Sequence, residues 1–222
     1  MGGLGYKKTL VPPNTTFTCH KLLQSFSQMR PFTNLKTNPH KTRTFAAKLI
    51  AMLVKHPQDS FVIMTEMVLP NDTNLLGNLM GGRLMHMMDI AAASAAMRHC
   101  NMPVVTASVD NISFSNPIRL GDLLTIEVYP TRAFNSSMEL YLRVHGENLI
   151  ARTRYSSNEA YFTFVALDAN GKPTKVPEIE PVSELEKKLY DGALRRRQLR
   201  LILAGKMKPE DAGELRALFI QD

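Results

Sequence analysis

The chain has 222 residues, 44% of them hydrophobic and 21% charged, a composition that suits a globular protein with one sizeable core. Its net charge of +7 is unevenly placed, because residues 1–58 hold nine Lys or Arg and no Asp or Glu while residues 59–222 hold eighteen basic and twenty acidic side chains. A surface that tracks phosphates needs a local basic excess, so the body is not expected to bind nucleic acid, and no apolar run reaches the roughly 18 residues of a membrane span.

The acid-free leader, residues 1–58, is rich in Thr, Asn, Pro and Ser and shows little helical or strand period in its first 45 residues. It is read as a disordered arm, a transit-like segment or the product of a start placed too far upstream, the last being favoured because Met52 and Met64 lie just ahead of the patterned region. From Ser60 the run SFVIMTEMVLP predicts a strand ended by Pro70 and the turn-forming Asn71, Asp72 and Asn74. A helix follows, from about Gly81 or Gly82 to about His99. After Pro103, VVTASVDNISF predicts a strand with an irregularity near Asp110. DLLTIEVYPTRAF and SMELYLRVHGENL flank Asn135, Ser136 and Ser137, the composition of a hairpin turn, and EAYFTFVALD ends at the turn around Gly171. One strand, one long apolar helix and then more long strands give an α+β order for residues 59–177.

Residues 183–222 are read as a separate helical extension. Ser183 and Glu186 form a capping box, Leu185, Leu189 and Ala193 give a helical stripe, and Gly205 is placed to end the segment. Pro209, Glu210 and Asp211 are expected to open a second short helix. The basic run ALRRRQLR is expected to be the solvated face of the first of these helices, given the acids around it. Cys19 and Cys100 have neither a disulfide framework nor a metal-ligand spacing, which points to a reducing compartment, and Cys100 reads as a small buried thiol at a helix end.

The chemistry concentrates in residues 70–110. The helix RLMHMMDIAAASAAM is apolar on every side, which belongs in the middle of a fold, and a carboxylate inside it needs a partner or a task. Asp89 therefore either pairs with His86, three residues earlier, or works as a general base or nucleophile. Gly81 and Gly82 at the helix start leave unpaired backbone N–H groups open to an oxyanion, although a glycine pair there also serves as a plain turn device. Asn78, just before them, would orient a carbonyl or a water, or act only as a turn residue. Gly82 and Asp89 share a helix face to within about 20° but stand about 10 Å apart along the axis. One helix cannot bring both to a single carbonyl carbon, whereas an antiparallel copy across a two-fold axis could.

PNDTN from Pro70, GNLMGG from Gly77, LMHMMD ending at Asp89, TASVDNISF from Thr106, the proline and Gly-Asp of Pro117–Asp122, and EAYFTFVALDANGKP from Glu159 together resemble the acyl-CoA hydrolase branch of the hot-dog thioesterases, which includes the YciA-like and brain-type cytosolic enzymes. The resemblance covers about residues 60–177 and implies a curved antiparallel sheet wrapped around one central helix. It also implies cytoplasmic hydrolysis of acyl-CoA to a carboxylic acid and CoA without metal or other cofactor, in homodimers that assemble as trimers of dimers. An organelle matrix would be the setting if the leader is a genuine transit peptide. By motif the catalytic pair falls on Asp89 and Asn78. Alternatives on the same fold are a hydratase or dehydratase using Asp89 with His86, and an acyl-CoA-sensing regulator. Arg152 and Arg154 would meet the CoA nucleotide from one side of an extended segment, with Lys172 or the C-terminal helix as the other source of cations.

Overall fold

A computed structural model describes residues 54–110 and 112–219. The readings of Cys19 and of residues 1–53 of the leader lie outside the described residues. Residues 54–58, grouped with the leader by charge, belong to the domain. Strand β1 (Val54–Lys55) pairs in parallel with β7 (Glu178–Ile179), Lys55 Nζ donates to the Arg98 carbonyl at 2.9 Å, and Pro57 and Ser60 are buried in a short 3₁₀ turn.

The body is one antiparallel sheet in the order β2-β4-β5-β6-β3, formed by β2 (Val62–Met67), β3 (Val104–Asp110), β4 (Leu123–Ala133), β5 (Ser137–Asn148) and β6 (Thr153–Ala166). Helix α1 (Gly81–Cys100) packs against one face of it, so the expected hot-dog architecture is present. Period-2 alternation explains why the sheet has one dry face. Leu124, Ile126 and Val128 of β4, Leu140 and Leu142 of β5, and Phe162 and Phe164 of β6 all point inward and are buried. They meet Leu84, Met87, Met88, Ala91, Ala92, Ala95 and Ala96 of α1, whose alanines keep the helix close to the sheet. Each large side chain buried there contributes on the order of 1.5–3 kcal/mol relative to exposure.

Three local expectations need correction. The irregularity in β3 falls between Thr106 and Ser108 rather than near Asp110. Strand β6 starts at Thr153, six residues before EAYFTFVALD, because β5 and β6 pair without a long break down to Asn148 and Thr153. Helix α1 is also not covered on every side within one protomer: His86, Ile90 and Met97, spaced along one stripe, are exposed, Ile90 by 46% and Met97 by 45%.

The outer face of the sheet is covered by α2 (Glu184–Leu203). Its capping box forms as expected: Ser183 Oγ accepts from the Glu186 N–H at 3.2 Å, and Glu186 Oε2 accepts from the Ser183 and Val182 N–H groups. The helix stops at Leu203, followed by Gly205 at φ +66°. Leu189 and Ala193 are buried as the stripe predicts, but Leu185 is exposed.

The basic run does the opposite of what its charge suggested. Instead of facing water it is the docking face. Arg196 makes a forked ion pair with Glu139 of β5, which is fully buried, and lies over the Tyr161 ring at 3.8 Å. Arg197 lies over Phe134 at 4.4 Å, and Arg200 pairs with Asp110 at the end of β3. Guanidinium groups stack on aromatic rings and fork onto carboxylates, so arginines can line a contact that lysines could not. After α2 a 3₁₀ turn at Pro209–Asp211 precedes the one-turn helix α3 (Gly213–Arg216), so the second helix begins later than Pro209.

Candidate active site

The loop before α1 is built to fix the helix start. Asp72 is buried and accepts from Arg83 Nε at 2.8 Å and from the Leu69 N–H at 3.2 Å, while its own carbonyl accepts from the Met80 N–H at 2.8 Å. Asn74 closes the turn that follows: its Oδ1 accepts from the N–H groups of Leu76 at 2.9 Å and Asn78 at 3.2 Å, and Gly77 takes φ +72° as the turn demands. Asn78 is held from the other side by a bridge to Arg119. Met80 provides no side-chain cap, so the first N–H groups of α1, at Gly81, Gly82 and Arg83, remain available at the positive end of the helix dipole.

The two glycines differ in their reasons. A Cβ on Gly81 would stand 3.3 Å from the Phe114 ring, whereas one on Gly82 would meet nothing within 4 Å. A side chain at Gly81 would press on the Phe114 ring, which would have to give by a few tenths of an ångström, and Gly82 faces open space. A cavity of about 270 Å³ lies at this end of the helix, lined by Asn74, Asn78, Gly81, Leu84, Phe114 and Asn158 among others. Asp89 and Gly82 are not on its wall.

Asp89 sits two turns along α1, half-buried. Its partner is not His86, which is exposed. Thr106 of β3 donates its hydroxyl proton to Asp89 Oδ1 at 2.6 Å instead. One carboxylate oxygen is thereby fixed and Oδ2 is left for another donor. The bulge between Thr106 and Ser108 lies beside this contact.

The loop from 112 to 122 is anchored on β5 and β6. Asn158 Nδ2 donates to the Ser113 carbonyl, and Ser157 Oγ donates to that of Asn116 at 2.6 Å. Asp122, buried, accepts from Tyr155 Oη at 2.7 Å, the Arg119 N–H at 3.1 Å and Asn148 Nδ2 at 3.1 Å. Burial first, and then the Asp122 carboxylate, push the Tyr155 hydroxyl up to about 12. The ring reaches Asp122 by crossing Gly146, where a Cβ would come within 2.4 Å of it.

Arg152 and Arg154 are not brought together. Arg152 lies in the β5–β6 turn at φ +54°, outside the extended segment, and Arg154 on β6 pairs with Glu127 at 3.1 Å. At the far end of α1, His99 is buried between Ser60 Oγ and the Pro177 carbonyl, and burial lowers its pKa. Cys100 is buried and unpaired, its thiol pushed up by burial, in line with a structural thiol.

Residues 76–150 match the model of the thioesterase superfamily. An uncharacterized acyl-CoA thioester hydrolase of Bacillus subtilis, YkhA, is 41% identical over 139 residues, which cover 63% of this chain and 81% of the relative. A cytosolic acyl coenzyme A thioester hydrolase of Rattus norvegicus is 37% identical over 160 residues, 71% of this chain but 41% of that longer protein. Among solved structures, an apo-hexameric acyl-CoA thioesterase superposes with a TM-score of 0.67 at 42% identity, covering 68% of this chain and 97% of the other. An acyl-CoA hydrolase of Staphylococcus aureus, solved with butyryl coenzyme A and coenzyme A, gives 0.64 at 36% identity, covering 69% and 95%. That protein has also been solved with one aspartate, one threonine and one asparagine each changed to alanine. Its asparagine precedes the aspartate by 15 residues and the threonine follows by 17, the spacing of Asn74, Asp89 and Thr106 here. In the sequence Asp89 stands out as a site candidate, whereas Asn74, inside PNDTN, reads only as a turn residue and Thr106, the first residue of TASVD, only as part of a strand. A polar residue on a strand expected beside the acid-bearing helix was the available signal.

Proposed function

The chain belongs to the thioesterase superfamily, as a member of its acyl-CoA thioester hydrolases, and from that premise we propose that it hydrolyses acyl-CoA to a carboxylic acid and CoA at a site shared between two protomers. The observation that carries the reading is Asp89, held on one oxygen by Thr106 and lying two turns away from the uncapped start of its own helix. In this reading Asp89 Oδ2 takes a proton from water as the water oxygen attacks the thioester carbonyl carbon. The developing oxyanion is met by backbone N–H groups at Gly81 and Gly82 of the partner's α1, where no side chain blocks the approach at Gly82. Collapse of the tetrahedral intermediate breaks the C–S bond, and the proton held by Asp89 passes to the departing CoA sulfur. Asn74 shapes the loop at the helix start and, with Asn78, orients the carbonyl or the water.

The dimer is supported by what one protomer leaves open. Among the described residues strand β3 ends the sheet with an unpaired edge, Val105 on it is 47% exposed, and His86, Ile90 and Met97 of α1 are exposed. An exposed strand edge next to an apolar helix stripe is a surface that natural proteins cover. A two-fold pairing there would cover both and set the helices antiparallel. Assembly of three such dimers follows the hexameric relative, and a cytoplasmic setting follows the cytosolic relatives. Arg152 and Arg154 remain proposed nucleotide contacts only as separate cations, Arg154 having first to leave Glu127.

The test is release of free thiol from acyl-CoA of several chain lengths by the purified chain and by Asp89→Asn. Turnover by the parent with a loss of about 10² to 10⁴ in the variant, at unchanged fold and oligomeric state, supports the reading. Retention of more than about a tenth of the parent rate removes Asp89 from the base role.

A further inference from the structure

Helix α2 touches the outer face of the sheet and the proposed chemistry lies on the inner face, yet one strand reaches both. Thr106, whose hydroxyl fixes Asp89, and Asp110, which pairs with Arg200 of α2, are four residues apart on β3. Four residues beyond Asp110 is Phe114, whose ring lies over Gly81 at the start of α1. The pair between Asp110 and Arg200 thus sits midway between the residue that aims the carboxylate and the residue that closes the helix start.

Strand β3 needs such an anchor. Among the described residues it is an edge strand paired only with β6, and its ladder is interrupted between Thr106 and Ser108, just where the aim of Thr106 is set. Arg200 and Asp110 keep only 18% and 24% of their side-chain surface exposed, so the contact is shielded from water. Arg200 is itself held in place one turn earlier, where Arg196 forks onto Glu139 and stacks on Tyr161, the residue opposite Asp110 in the β3–β6 register. We propose that Arg200 is a positioning residue for thioester hydrolysis, gripping β3 at Asp110 so that Thr106 holds Asp89 in its working orientation. The proposal rests on the reading of Asp89 and Thr106 given above. The C-terminal extension is on this view part of the catalytic apparatus, and a misplacement of the order of 1 Å at a reacting group can cost about 10²-fold in rate.

The experiment is a double-mutant cycle on the full chain with Thr106→Ala, Arg200→Ala and both together, read as kcat and KM for one good acyl-CoA substrate, with oligomeric mass and Tm measured alongside. Thr106→Ala is expected to lower kcat. Arg200→Ala is expected to lower kcat about tenfold or more with KM changed less than about threefold, Arg200→Lys to recover part of it, and the double variant to be no worse than Thr106→Ala alone, because two changes acting through one contact do not add. Full additivity, or parent kcat in Arg200→Ala, overturns the inference while leaving the catalytic reading intact if Thr106→Ala is impaired. Parent kcat in Thr106→Ala overturns both. A fall in kcat that follows Tm and vanishes when assayed well below it assigns Arg200 to stability alone and also overturns the inference.

Discussion

Replacing Arg196 with methionine removes one partner of the most deeply buried ion pair in the described residues. Glu139 is fully buried and receives Arg196 Nη2 at 2.7 Å and Nε at 3.1 Å, with Thr131 Oγ1 at 2.7 Å as its other donor. The carboxylate would be left with a single hydroxyl. Breaking a buried pair in this way costs about 3–5 kcal/mol, and because Arg196 itself is 20% exposed the lower end applies. For a domain of this size Tm falls by about 2–4 °C per kcal/mol, so a drop of roughly 6–12 °C is expected. The informative control is Glu139→Leu with Arg196→Met. The Thr131 hydroxyl keeps the Glu139 backbone carbonyl as acceptor at 3.1 Å, and replacing a whole buried pair by apolar side chains is often close to neutral, so most of the lost Tm should return. Thermal unfolding by circular dichroism at a fixed protomer concentration measures all three. A single variant within 2 °C of the parent, or a double variant no better than the single, would refute the argument that α2 is docked by this pair.

Tyr155→Phe should lower stability by about 1–3 kcal/mol, because Asp122 loses its closest donor inside the fold; urea unfolding measures it. Gly146→Ala should cost a similar about 1–3 kcal/mol by driving a methyl into the Tyr155 ring, and an unperturbed urea midpoint would show that the ring can swing aside. For His99 the folded pKa lies below the ordinary 6.5, mainly through burial, so the unfolded chain binds the proton more readily. Its contribution to stability is present above about pH 6.5 and lost as pH falls below it. His99→Gln should flatten the part of the Tm–pH curve just below about pH 6.5, and an unchanged slope would assign the acid sensitivity to other groups.

The sheet and its central helix were legible because period-2 and helical patterning are properties of short segments, and Ser183, Glu186 and Gly205 announce their helix ends locally. The C-terminal basic run was misread because charge patterning assumes water on the polar side of a helix. Here the facing sheet supplies Glu139 of β5, Tyr161 of β6 and Asp110 of β3, none of which is near α2 in sequence. A similar limit applied at the candidate site. Asp89 stood out as a lone acid among apolar residues, but its partner lies 17 residues away on an edge strand, and only the fold distinguishes Thr106 from the nearer His86. Arg152 and Arg154 do not share one side for a backbone reason, since alternation puts two side chains on one side only in extended chain and Arg152 is in a left-handed turn. The exposed stripe of α1 was hidden because an all-apolar helix reads the same whether its last face is covered by its own chain or by another.

The claim that the site is shared between protomers is tested most directly by subunit mixing. One parent carries Asn74→Ala and Asn78→Ala, damaging the helix start, and the other carries Asp89→Asn; each is expected to be inactive alone. After equal mixing with verified exchange, half the dimers are hybrid, and each hybrid has one site built from two undamaged halves, so about a quarter of the parent activity should return. If the site lies within one chain, every site in every hybrid carries a defect, and activity that stays at the level of the separate variants would contradict the shared site.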